Sequence, residues 1–156
     1  MKNTSQKQVL LNSVLDYIHA SEWEYSRYGE GNDILEISMN VGGAMGHCRL
    51  MILCNEADVQ VYAVAPINAP AENFAHVVEF LTRANTQLRI GAFEFDYDTG
   101  EIRYHACLLC SEGAPSLNDI IIVTGIPVVM MQHYGEGIMK NALGHGDPAR
   151  DIAELG

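Results

Sequence analysis

The chain has 156 residues, 48% of them hydrophobic, and nine Lys and Arg against twenty Asp and Glu give a net charge of −11. A single domain of this size buries about two-thirds of the surface its unfolded chain exposes, so neither disulfides nor metals are needed as staples. The acidic field repels phosphate backbones, which excludes non-specific nucleic-acid binding, and no run reaches the roughly twenty uninterrupted apolar residues of a membrane span.

Ser5 with Gln8 three places on reads as a capping box, and Val9, Leu11, Val14, Leu15 and Ile18 then form one apolar stripe, predicting a helix to about Ala20. Polar residues within this stripe make it amphipathic rather than secretory, so the chain is expected to be cytoplasmic. After a tract holding Trp23, Tyr25, Tyr28 and Gly29, with room for a short extended piece, Leu35, Ile37, Met39 and Val41 alternate with Glu36, Ser38 and Asn40 as a strand with one wet face. Gly42, Gly43 and Gly46 turn it. The next strand, over 48–54, is apolar on both faces apart from Arg49, which predicts a central position. A reversal at Asn55, Glu56, Ala57 and Asp58 leads into Val59, Val61, Ala63 and Ala65, completing an antiparallel meander.

Pro66 and Pro70 bracket a crossover, with Asn68 or Ala69 near the cap of a second helix. Phe74, Val77, Val78, Leu81 and Leu88 make its buried face, Glu79, Arg83 and Gln87 its wet one, and Gly91 its stop. Phe93, Phe95 and Tyr97 then alternate with Glu94, Asp96 and Asp98 in a hairpin that turns at Asp98, Thr99 and Gly100, giving five antiparallel strands in all. Ser116 with Asp119 opens a third helix, in which Pro127 is expected to cause a kink or a split; the competing reading is a pair of strands over 120–123 and 128–131, where β-branched residues are dense. The expected class is α+β, in the order helix, three-stranded meander, helix, two-stranded hairpin, helix. One domain covers 1–147, and 148–156 is a tail, helical or disordered.

Asn85, Gly91, Phe93, Asp96, Gly100, Tyr104, Leu108, Tyr134 and the closing Gly146, Asp147 and Pro148, set in that element order, resemble the YbjN family of bacterial proteins within the type III secretion chaperone-like fold. The resemblance covers essentially the whole chain. It implies a sheet packed on helices, often dimeric, with no catalytic or cofactor residues to carry over. The family has been described as a candidate sensory-transduction regulator, and its secretion-chaperone relatives bind partly unfolded client segments as dimers. The apolar run around Pro127 departs from the more polar last helix of related proteins.

Motifs that would carry chemistry are each better explained structurally. Cys107 and Cys110 have CxxC spacing, yet on a strand positions three apart face opposite ways. Cys48 and Cys54 share a strand face roughly 20 Å apart, beyond disulfide reach, so all four thiols are expected in or near the core. His19, His47, His76, His105, His133 and His145 show no close ligand spacing, although His47 and His105 lie in strands that could bring them together across the sheet. The stretch from Asp96 to Gly100 places its Gly one position early for a calcium loop, and the glycines at 42, 43 and 46 lead into a strand, so they form no phosphate cradle. With no GxSxG elbow, no catalytic, cofactor or metal residue is nominated.

These readings point to a non-catalytic protein-binding module, chaperone-like or regulatory, that holds a client or regulatory partner and forms a homodimer. Its apolar patch is sought on the sheet or along the last helix, where Met130, Met131, Ile138 and Met139 cluster. The alternative is a small-molecule sensor or weak enzyme whose pocket lies between the sheet and the second helix, with Arg103, Tyr104 and His105 converging in it. A third possibility is a purely structural subunit of a larger complex.

Overall fold

A computed structural model describes residues 3–156. The chain runs α1 (Gln6–Ala20), β1 (Ser26–Tyr28), β2 (Ile34–Gly42), β3 (Gly46–Cys54), β4 (Asp58–Val64), a 3-10 turn (Ala71–Asn73), α2 (Phe74–Asn85), β5 (Ala92–Phe95), β6 (Ile102–Leu109), α3 (Leu117–Ala142) and α4 (Pro148–Glu154). The strands form one antiparallel sheet in the order β1-β2-β3-β4-β6-β5. The sheet thus has six strands where five were expected. The extra one is the short extended piece after α1, which pairs Ser26, Arg27 and Tyr28 with Glu36, Leu35 and Ile34 at the edge. The meander is as expected, and so is the interior position of β3, which its apolar residues on both faces predict.

Helices cover one face of the sheet. Leu10, Val14 and Ile18 of α1 are fully buried over Leu35, Leu50, Ile52, Val59 and Val61, and α3 packs across β2, β3, β4 and β6. The buried positions of α3, Ile120, Val123, Pro127, Met131, Tyr134, Ile138 and Ala142, are spaced three and four apart, a helical period that overrides the strand preference of its β-branched residues. Pro127 does not split the helix, which is assigned without a break from Leu117 to Ala142. The pyrrolidine removes one backbone donor, but it is itself buried, so the loss sits within an apolar contact that stabilises the helix. One turn earlier, the Thr124 hydroxyl donates to the Ile120 carbonyl at 2.6 Å.

The second helix differs from expectation at both ends. Its N-cap position is Asn73, the last residue of the 3-10 turn, rather than Asn68 or Ala69, and it ends at Asn85, so Leu88 lies beyond it. Gly91 is not the helix stop. It has φ +77°, and a Cβ there would stand 2.3 Å from the His105 carbonyl oxygen, so its role is to let the chain enter β5 tight against β6. Asn85 uses both ends of its amide on β5, accepting from Phe93 N at 2.7 Å and donating to Phe93 O at 3.0 Å. Residues 148–154 are helical: Asp147 caps α4 by accepting from Arg150 N, Pro148 sits in its first turn, and α4 packs on α2 and α3.

Candidate functional site

Because the helices occupy one side, the other side of the sheet is bare. Cross-strand register lines up Met51, Tyr62 and His105 on β3, β4 and β6. His105 stacks on Tyr62, ring centroids 4.3 Å apart at 16°, and the Arg103 guanidinium lies 4.9 Å from the Tyr62 centroid. Glu94 on the edge strand joins the two: Arg103 Nε donates to Oε2 at 2.7 Å, and His105 Nδ1 meets Oε1 at 2.8 Å. The other ring nitrogen of His105 is engaged by Gln60 Oε1. Burial alone would raise the Glu94 carboxyl, but the hydrogen bonds from His105 and Arg103 outweigh it and hold it below the usual carboxylate range. Beside this network Arg49, Met51, Leu53, Tyr62, Val64 and Arg103 border a shallow concavity of about 470 Å³.

A second open surface lies on α3. Residues 120–135 contain no Asp, Glu, Lys or Arg, and the side of the helix turned from the core exposes Ile121, Ile122 and Val129 at 43%, 38% and 49%. This surface continues into an apolar groove of about 320 Å³, where Leu88 and Ile90 of the loop before β5 face Ile126 and Met130, with Arg89 at the rim.

These faces redistribute the residues singled out in the sequence. Met131 and Ile138 are wholly buried and belong to the core, whereas Met130 and Met139 are half-buried at its margin. Arg103 and His105 share the bare sheet face, but Tyr104 points the opposite way, 1% exposed, its hydroxyl donating to the Ile90 carbonyl. The three do not converge. The space between sheet and α2 is instead filled by Phe80, Phe93, Tyr104 and Tyr134, with successive ring centroids 5.0 to 6.4 Å apart. His47 and His105 do not meet, since β4 lies between their strands and the register puts Tyr62, not Pro66, opposite His105.

Cys48 and Cys54 are buried and face the helices; burial pushes their thiols up to about 11 and about 12. Cys107 is exposed, contrary to the expected core placement, and Cys110 is half-buried beyond the end of β6. Asp96 accepts from Asp98 N and Thr99 N as a hairpin turn does. Among the described residues no group of three or more His, Cys, Asp or Glu is placed to hold a metal ion. No described helix is long and apolar enough to cross a membrane. Sequence reasoning missed Gln60 and Tyr62, whose only signal is the cross-strand register.

The molecule is therefore an α+β protein with helices on one sheet face and the other face open. No family model and no curated protein matches the chain. Among solved structures it is similar to the crystal structure of YbjN from E. coli, a candidate transcription regulator, with a TM-score of 0.57 and 11% identity over 85% of this chain and 92% of that one. The fold is YbjN-like.

Proposed function

We propose that this chain is a non-catalytic, cytoplasmic protein-binding module of regulatory or chaperone-like kind, working as a homodimer. The observation that carries the reading is the uncharged outer side of α3. In a chain of net charge −11, an exposed surface free of formal charge is where a second acidic copy approaches with least repulsion, and Ile122 and Val129 supply the apolar contact. The groove between Leu88, Ile90, Ile126 and Met130 suits an apolar side chain of a partner segment, with half-buried Met130 adapting to its shape. The description of the similar YbjN structure as a candidate regulator is in keeping with a binding role. So is the engagement of both His105 nitrogens, by Glu94 and Gln60, which ties that ring into the sheet face.

The test is a pair of variants compared by sedimentation and by crosslinking in the native cells. Ile122→Glu with Val129→Glu is expected to yield a folded monomer. Ile90→Glu is expected to keep the dimer and lose the crosslinked partner. If both variants keep the parent's assembly and crosslinks, the proposal fails. A second reading, a small-molecule sensor, is favoured by the concavity beside Tyr62 and Arg103; it requires a metabolite that raises the melting temperature of the parent but not of Arg103→Gln.

A further inference from the structure

The uncharged outer side of α3 has a symmetry of its own. At seven, four and three residues on either side of Gly125 stand Asn118 and Gln132, Ile121 and Val129, Ile122 and Val128, one pair of carboxamides and two pairs of β-branched residues. At about 100° per residue all of them fall within about 60° of the direction in which Gly125 faces. Asn118, Ile121, Ile122, Val129 and Gln132 are exposed, Gly125 and Val128 half-buried, and no Asp, Glu, Lys or Arg interrupts the arc.

Packing inside the molecule does not account for Gly125. A Cβ at Gly137 would collide with Phe80 and one at Gly135 would touch Met45, whereas one at Gly125 would meet nothing among the described residues within 4 Å. Its backbone is helical, with no positive φ to demand glycine. Glycine inside a helix is destabilising relative to alanine. What it provides here is a gap in the outer face, through which another helix can approach closer than the roughly 8–10 Å usual between axes. A pattern that reads alike from both ends fits a copy of itself turned by half a rotation, because a twofold axis at Gly125 sets each residue against its counterpart. A foreign segment would need no such palindrome. The lack of charge serves the same partner, since a second copy also carries −11.

We propose that two copies of this chain pair their α3 helices antiparallel about a twofold axis at Gly125. Ile121 and Ile122 then pack on the partner's Val129 and the partner's Val128, and the Asn118 amide bonds to that of the partner's Gln132, each donating and accepting, which fixes the register. The arrangement rests on the homodimer proposed above and gives it a direction and a centre. The groove at Ile126 and Met130 lies about 100–140° round the helix from Gly125, so it stays open to a partner segment. The test is sedimentation equilibrium over a concentration series, with circular dichroism as the control for folding. Gly125→Leu enters open space and favours helix, so it keeps the parent's spectrum while the dimer dissociation constant rises about tenfold or more. Asn118→Glu combined with Gln132→Lys sets opposite charges together only if the helices run antiparallel. The dimer then tightens several-fold at low salt and returns to the parent's value at high salt. In a parallel pair the same substitutions set Glu against Glu and Lys against Lys. Should Gly125→Leu not fold, the charged pair decides alone. A dimer that tolerates Gly125→Leu, or that the charged pair fails to tighten, would overturn this arrangement and leave the homodimer standing. A parent that stays monomeric at every concentration would overturn both.

Discussion

At Gly137 one added carbon would lie 2.3 Å from Phe80 Cζ. That ring is fully buried and packs edge-on against Tyr134, so it has no space to retreat. Gly137→Ala is therefore expected to lower unfolding stability by about 1–3 kcal/mol, read as a fall in urea midpoint. The thiols make a second test. Burial raises Cys48 and Cys54 to about 11 and about 12, and neither is open to reagent. Alkylation of the folded protein at neutral pH should mark Cys107 before the other thiols, and should reach Cys48 and Cys54 only after denaturation, as peptide mass mapping will show. Glu94 offers a third. Its folded pKa lies below its unfolded value, so its contribution is present above the ordinary carboxylate range and disappears as pH falls through the folded pKa. Glu94→Gln should cost about 1 kcal/mol or less at pH 7, and urea curves of variant and parent should converge in acid.

Among the elements α3 shows best what can be read from order alone. Its three-and-four spacing is in the sequence, and so is its cap, since Ser116 accepts from Asp119 N at 3.1 Å. What spacing does not say is which apolar side faces in, because Ile121, Ile122 and Val129 are as hydrophobic as Val123, Met131 and Ile138. Only the sheet beneath decides. Met131→Glu is accordingly expected to unfold the protein, a loss of more than about 4 kcal/mol, whereas Ile122→Glu should keep the parent's circular dichroism. The missing strand has a similar cause: Ser26, Arg27 and Tyr28 are all exposed, and a strand with no buried face has no alternation to detect. Gly91 gave a true signal of positive φ with the wrong explanation, because close approach to His105 is a tertiary fact. The Tyr62, Glu94 and His105 platform was illegible for the same reason. Its members come from β4, β5 and β6, and nothing local to any one strand announces the other two.

Over the whole molecule, α4 ties the end of the chain to the body through buried Pro148 and Asp151 and through Ile152 and Leu155 packed against the core. Truncation after Gly146 should lower stability by about 2 kcal/mol or more, seen as a lower melting temperature. The residues carrying the YbjN resemblance also find their reasons at this scale. Asn85 holds β5, Gly100 comes against the Ala69 carbonyl, Gly146 against Asn141, and Tyr134 centres the aromatic cluster. Asn85 bears also on how copies of the molecule can add together. Its amide takes up the outward backbone groups of Phe93, sealing one border of the sheet at its middle, while the other border ends in the three-residue β1. Unlimited head-to-tail growth of a sheet needs two receptive borders, and a molecule with one sealed can join border to border only once. Replacing Asn85 by Ala would thus remove a stop on polymerisation as well as two hydrogen bonds, and its signature would be fibres rather than a mere loss of stability.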